Sequence, residues 1–311
     1  MAVLIPDNQY TCRINNALNY AQTNVNANLD SMADAACLSK FHFLRLFNAQ
    51  IGVSPVSFLK RVRLERAACL LSYDHESSIL DIGSRCGFSN SQHFARSFSD
   101  KFGRCPRDFR IFRRFDSKDN VDLLLQRFQA QGLIYDQQSP SDEIDIVKTP
   151  GIRVAYVRNI GDYYDSSGGI KGAIEFVTWW AKKHDLLTRD TKIIGVSWDY
   201  SSLTPNGMRR YDACIKIPDN FPFTPDISMQ TLPGGFYATM RTTIEPVREK
   251  FFLKWKLFDL TLSTSPKFKR YKLDGNMGPW YEIFKPNISW EHPEIVFCSH
   301  LHPRTKTLKY S

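Results

Sequence analysis

The chain has 311 residues, more than one ordinary domain needs, so two domains are expected. Hydrophobic residues at 42% and charged residues at 23% are those of a globular protein rather than a disordered one. No apolar run approaches the roughly 18 residues that a helix needs to span a bilayer, so no membrane-spanning helix is expected. The net charge of +9 suits a polyanionic partner without locating it. Residues 51–115 hold 12 Lys+Arg against 6 Asp+Glu, residues 116–150 are acidic at 3 against 7, and the stretch from 151 onward is again basic at 23 against 16. The opening is polar and Asn-rich, unlike a secretory signal. The seven cysteines are scattered, with no C-x-x-C and no Cys/His spacing suited to zinc. A reduced, buried set in a cytoplasmic protein without metal or cofactor is the expectation.

In chain order, a first helix is expected over 10–26, with Ile14, Leu18, Ala21 and Val25 on one face. An alanine-rich helix over 29–36 follows, then a turn at Cys37-Leu38 and a helix over 39–50 capped by Ser39. Phe43, Leu46, Phe47 and Gln50 have core spacing in that helix, while Lys40, Phe41, Leu44 and Arg45 lie on or beside the other face. Gly52 stops it, and Ser54-Pro55 starts a long helix over 55–72. Val56, Leu59, Val62, Ala68 and Leu71 are expected inside this rod, with Lys60, Arg61, Arg63 and Arg66 mostly outside. The pattern then repeats with helices over 79–86 and 89–102. A shift of 51 lays His42 on His93, Phe43 on Phe94, Arg45 on Arg96, Phe47 on Phe98, Gly52 on Gly103 and Pro55 on Pro106. Upstream of Ser39 the shift is 50. Two copies of a helix–turn–helix therefore share one segment, and Asn90, Ser91, Gln92, His93 and Arg96 crowd the first half of the second reading helix. Asn, Gln and Arg there match base edges in a major groove. A surface-arginine reading of Arg45 and Arg96 competes, but matched positions in two copies favour DNA.

The run Gly87-Phe88-Ser89-Asn90-Ser91-Gln92-His93-Phe94-Ala95-Arg96-Ser97-Phe98, with Phe102-Gly103 and Pro106, resembles the second helix–turn–helix of the AraC/XylS family. Ser39, Arg45-Leu46-Phe47, Gly52, Ser54-Pro55 and Arg63-Leu64 resemble its first. The resemblance implies base contacts at Lys40, Phe41, Leu44 and Arg45, and at Asn90, Ser91, Gln92, His93 and Arg96. Phe41 and Leu44 depart from the polar readers usual there, leaving Arg45 and contact with thymine methyls to the first helix.

A polar, acidic linker with a short helix is expected over 116–143. Beyond it a shift of 83 lays Pro150-Gly151 on Pro233-Gly234, Ala155 on Ala238, Arg158 on Arg241, Gly195 on Gly278 and Asp199 on Glu282. Each copy reads as strand, helix, strand, strand: 152–158, 170–184, 193–198 and 211–217, then 236–241, 247–260, 269–273 or 281–284, and 295–300. Tyr156, Trp198, Tyr200, Tyr237, Trp280 and Tyr281 lie on or near these strands with Glu282 among them. A carboxylate in an aromatic groove suits a cationic, apolar ligand; an aromatic core with Glu282 facing water fits the spacing equally.

Val154-Ala155-Tyr156-Val157-Arg158, Gly161-Asp162-Tyr163, Ile194-Gly195-Val196-Ser197-Trp198-Asp199, Tyr211-Asp212-Ala213-Cys214, Leu232-Pro233-Gly234-Gly235 and Tyr281-Glu282-Ile283-Phe284 resemble the GyrI-like effector-binding domain. The resemblance implies a small, often cationic and lipophilic ligand with Glu282 as its anionic contact, and the strand positions of Tyr156, Trp198, Trp280 and Tyr281 make them the expected aromatic residues around it. The family's Gly-Pro-Tyr turn is replaced here by Thr243-Ile244-Glu245-Pro246, so pocket shape does not transfer.

The expected architecture is thus multi-domain. An all-α DNA-binding domain of two helix–turn–helix units joined by a long helix spans 8–115, the linker 116–143, and an α+β effector domain of two repeated modules 144–305. The function expected is a sequence-specific transcriptional regulator, not an enzyme. Its partners would be double-stranded DNA, a small-molecule effector and RNA polymerase, with no membrane, and it would act as a monomer or homodimer. The alternatives are a C-terminal domain that hydrolyses small molecules through Glu282, or one that contacts a protein.

Overall fold

A computed structural model of the chain describes residues 9–113, 118–130, 132, 143–163, 165, 168–243, 248–268, 271–272, 280–285 and 294–303. The repeat position Gly278, residues 244–246 and much of the expected linker lie outside these. The first part is helical: α1 (Gln9–Thr23), α2 (Leu29–Ala35), α3 (Lys40–Ile51), α4 (Pro55–Tyr73), α5 (Ile79–Arg85), α6 (Ser91–Phe102), α7 (Pro106–Phe112) and α8 (Lys118–Ala130). The punctuation is local. Ser54 caps α4 by accepting from Ser57 N–H, with Pro55 in the first turn. Gly52 (φ 76°) and Gly103 (φ 69°) close α3 and α6 in the left-handed conformation that glycine adopts without a Cβ clash. Helix α6 starts two residues later than expected, because Asn90 rather than Ser89 supplies the cap: its Oδ1 accepts from His93 N–H at 2.9 Å.

Two apolar clusters share α4. Phe58, Leu59 and Val62 join Phe43, Phe47, Met32, Ile14 and Leu18, whereas Leu64, Ala67, Ala68 and Leu71 join Ile82, Phe94, Phe98 and Phe109. The expected faces of α4 need correction. Val56 is 60% exposed, while Arg61 and Arg66 are buried. The helix is covered on several sides, and its arginines satisfy backbone carbonyls that would otherwise be orphaned. Arg66 donates to Gln22 O at 2.6 Å, and Arg63 donates to Val25 O and Ala27 O at 3.0 and 2.8 Å. Gln50, spaced for the core, is exposed, and so are Cys37 and Cys105 among the cysteines expected to be buried.

The second part holds β1 (Ile144–Thr149), β2 (Ile152–Ile160), α9 (Gly169–Lys183), β3 (Ile193–Ser197), β4 (Arg210–Lys216), β5 (Ser228–Leu232), β6 (Gly235–Thr243), α10 (Arg248–Thr264), β7 (Tyr271–Lys272), β8 (Trp280–Phe284) and β9 (Glu294–Pro303). The strands form an antiparallel sheet in the order β1-β6-β9-β8-β3-β4-β2-β5, with β7 also on β9. Strands β1 and β5 were not expected. Each lies before a Pro-Gly turn but pairs away from its own neighbourhood, β1 on β6 and β5 on β2. At the sheet centre β3 meets β8 with Gly195 opposite Glu282. Helices α9 and α10 cover one face, around Val177, Trp180, Tyr211, Ile215, Phe258 and Phe297. The other face carries Tyr156, Val196, Trp198, Tyr237 and Tyr281.

Helix α1 lies against the sheet. Asn15 Nδ2 donates to Ser228 Oγ at 2.9 Å and Asn19 Nδ2 to Tyr156 Oη at 3.0 Å. A buried ionic cluster ties α4 to the loop after β3. Glu65, wholly buried, takes hydrogen bonds at 2.9 Å from both Arg61 and Thr204 and pairs with Lys101 of α6 at 3.1 Å. Arg61 also reaches Asp199 at 3.5 Å, and Arg210 grips Asp199 through Nε and Nη2, both at 2.8 Å. Burial pushes the Asp199 carboxyl up, and Arg210 more than offsets this, holding it below the usual carboxylate range. No helix among the described residues is long and apolar enough to cross a membrane.

Candidate functional site: two reading helices and an interdomain cavity

Helices α3 and α6 each bury a phenylalanine pair, Phe43/Phe47 and Phe94/Phe98, and turn the opposite side to solvent. On α3 that side shows Lys40, Phe41 and Arg45, with Leu44 half-buried. Lys40 forms an ion pair with Asp30 at 2.7 Å, whereas Phe41 is 85% exposed, an apolar ring without local cover. On α6 it shows Ser91, Gln92, His93 and Arg96. Asn90 is exposed at the cap; its oxygen is engaged by the cap, leaving the amide NH2 outward. Neither Arg45 nor Arg96 makes an ion pair among the described residues, so both guanidinium groups are available.

The five residues expected around the effector do not share one space. Alternation along β8 sends Trp280 and Glu282 to the helix-covered face and Tyr281 to the other. Tyr156 and Trp198 lie with Tyr281. Their cation is already internal: Arg158 stands 5.2 Å from the Tyr156 ring centroid and 5.7 Å from that of Trp198. Asp212 binds Arg158 through both oxygens at 2.7 Å and accepts from Trp198 Nε1 at 2.7 Å. This box of aromatic rings and carboxylate is filled by the protein itself.

Glu282 and Trp280 instead line a cavity of about 470 Å³. Its walls come from both parts of the chain: Cys69, Ser72 and Tyr73 of α4, Leu123, Leu124 and Arg127 of α8, and Trp255 and Asp259 of α10, with Tyr163 and Tyr200 from loops. Glu282 is 6% exposed and has hydrogen-bond donors but no cation among the described residues. Tyr211 Oη donates to Oε2 at 3.2 Å and Trp255 Nε1 to Oε1 at 3.3 Å. Burial pushes its carboxyl up to about 7, against the pull of those donors. Gly195 makes this arrangement possible, since a Cβ there would lie 1.8 Å from the Tyr211 hydroxyl oxygen. Asp259 is likewise raised to about 7 by burial, opposed by the Tyr200 hydroxyl donating to Oδ2 at 3.4 Å. Tyr200 and Tyr73 are hydrogen-bonded through their hydroxyls, across the boundary between helical part and sheet. Sequence reasoning missed Asp259, Trp255 and Tyr73. For Asp259 there was a signal: a lone carboxylate in the apolar run Leu257-Phe258-Asp259-Leu260. For Tyr73 there was none, because its role depends on docking.

Comparison with known proteins divides the chain at the same place. Residues 32–111 match the model of a helix-turn-helix domain, and residues 142–256 that of the GyrI-like small molecule binding domain. The HTH-type transcriptional activator RhaS of Escherichia coli is 42% identical over 83 residues, which cover 27% of this chain and 30% of RhaS. The chain thus spans under a third of the curated relatives it matches. A solved transcriptional regulator with an AraC-type DNA-binding domain, from Chromobacterium violaceum, is 30% identical over 32% of this chain and 91% of its own, with a TM-score of 0.31. The DNA-binding domain of AdpA in complex with a target DNA is 23% identical, over 33% of this chain and 93% of its own, with a TM-score of 0.31. The chain thus joins a stretch similar to a helix-turn-helix domain, residues 32–111, to one similar to a GyrI-like small molecule binding domain, residues 142–256.

Proposed function

We propose that the protein is a transcriptional regulator that reads DNA with α3 and α6 and senses a small, lipophilic, cationic molecule in the interdomain cavity. In this reading α2–α3 and α5–α6 are two helix–turn–helix units joined by α4, within a DNA-binding domain of about 8–115. Residues 116–143 connect it to an effector domain of about 144–305 built from two related modules. Lys40, Phe41, Leu44 and Arg45 meet one major-groove segment, and Asn90, Ser91, Gln92, His93 and Arg96 meet the next, about one helical turn (~34 Å) away. One chain already carries both readers, so a monomer suffices; RNA polymerase is the further partner this class of function implies. Residues Glu282 and Trp280 act on the effector. Tyr156, Trp198 and Tyr281 support the sheet from behind, with Arg158 in the place of a ligand.

The observation that carries the effector reading is Glu282: a buried carboxylate at an aromatic cavity, with no paired cation among the described residues. An uncompensated buried charge is costly, and a cationic ligand removes that cost. The cavity walls include α4, so a ligand that fits one arrangement of the two domains better than another shifts DNA affinity through that difference.

The test is to select a DNA site with the full chain, then titrate tetraphenylphosphonium and follow both ligand and DNA binding. Ligand binding is expected to strengthen as pH rises through about 7, where Glu282 ionises. The stability sign is the reverse for the free protein. Raised carboxyls hold their proton more tightly when folded, so the stability they contribute is complete below their ordinary values and is lost as pH rises through about 7. Bound cation should therefore raise the melting temperature more at pH 8 than at pH 6. Binding that ignores pH and survives Glu282→Gln would remove Glu282 from the site.

A further inference from the structure

Glu282 is not alone in facing the cavity without a cation. Asp259 lines the same space from α10, one turn beyond Trp255, and its described hydrogen bond is the Tyr200 hydroxyl at 3.4 Å. The third acid of the wall, Asp199, is different, because Arg210 already neutralises it. Arg113, Arg127 and Lys256 also line the cavity, but all three are exposed, and none pairs with Glu282 or Asp259 among the described residues. An aromatic wall connects the two uncompensated acids. Tyr200, which holds Asp259, meets Trp280 edge-on with ring centroids 5.1 Å apart, and Trp280 shares its face of β8 with Glu282.

A single positive charge at Glu282 leaves the half-buried Asp259 either as an unpaired anion or as a neutral acid. A ligand with two positive ends satisfies both. Resting on the reading of this cavity as an effector site, we propose that it is built for a lipophilic dication: one cationic end at Glu282, the other at Asp259, and an apolar or aromatic spacer against Tyr200 and Trp280. The desolvation of the two carboxyls agrees with this, since it raises both to about 7 and a positive group beside them would favour their ionised forms. The volume of about 470 Å³ suits a molecule of drug size. The Asp259 end is also the end that communicates. Through Tyr200 it is hydrogen-bonded to Tyr73, in the last turn of the helix that joins the two DNA-reading pairs.

The test uses the full chain at pH 8 and calorimetric titration with two compounds of equal length. One is a bis-benzamidine with a pentyl spacer; the other is its counterpart with one amidine replaced by a neutral amide. The dication is expected to bind about tenfold or more tightly, the scale of a buried charge pair. Asp259→Asn should abolish that advantage while leaving the monocation's affinity intact, which also shows that the variant is folded. Glu282→Gln should weaken both compounds. Equal affinities in the unmodified protein, or an advantage that survives Asp259→Asn, would overturn the dication proposal and leave the effector site standing. Failure of the unmodified protein to bind either compound would overturn the proposal and the cationic-effector reading together.

Discussion

The helix pairs α2–α3 and α5–α6 present the same buried scaffold and opposite surfaces. Phe43 and Phe47 do in one what Phe94 and Phe98 do in the other, and both pairs end on a left-handed glycine. The turn inside each pair also needs a positive φ, but Gly87 meets the need freely at 83° while Cys37 takes it at 51° with a Cβ. Outside, α3 shows an exposed phenylalanine and a lysine already paired with Asp30, whereas α6 shows Gln92, His93 and an unengaged Arg96. The tethers differ as well. Helix α6 is tied by Lys101 to Glu65 and thence to Thr204 beside the cavity, while the first pair is linked to the sheet through α1. The two pairs thus share what packs and differ in what faces solvent. The second pair shows the more polar surface and is tied directly to the buried cluster at Glu65.

The hardest blow to that asymmetry is Glu65→Ala. Taking the wholly buried carboxylate from between Arg61 and Lys101, with Arg61 left only the longer contact to Asp199, should destabilise the protein by about 3–5 kcal/mol, read by chemical denaturation. A loss below about 1 kcal/mol would mean that the cluster does not hold the domains together. Next come the turns. Gly87→Ala should destabilise by about 1–3 kcal/mol, since the added Cβ combines an unfavourable φ with a 2.7 Å approach to Val25 O. Cys37→Gly should instead be neutral or stabilising by up to about 1 kcal/mol, by relief of the same conformation. Identical responses would erase the distinction between the turns. On the DNA side, Arg96→Ala should weaken binding at the preferred site by about 1–3 kcal/mol and relax the choice of base at one position. A uniform loss across all sequences would make Arg96 a phosphate contact and the second pair no better a reader than the first. The smallest effect is expected at Asp30→Ala, which removes an exposed ion pair. Stability should move by less than about 1 kcal/mol, while Lys40 is freed for DNA.

The helical part was legible because its signals are local. Ser54-Pro55, Gly52, Gly103 and the phenylalanine spacing are read within a turn or two of the chain. The start of α6 was still set two residues early, ahead of the cap at Asn90, and burial misled along α4. Arg61 and Arg66 look like solvent residues until the sheet and α1 close over them. In the effector part the strands with alternating residues were legible, but β1 and β5 were not. They are short and pair with distant partners.

What the sequence determined by itself is the doubled helix pattern, the polar and apolar faces of its helices, and the presence of Glu282 among aromatic residues. Only the tertiary structure decided which aromatic residues share a space with that carboxylate. Strand alternation puts Tyr281 behind the sheet, and Arg158 fills the box at Tyr156 and Trp198. It also decided that Asp259 and Tyr73, from elements distant in the chain, stand at the same cavity. The reason is physical: a side chain's face follows from its own strand or helix, but a cavity is what remains between elements once they have packed, and no local period records it.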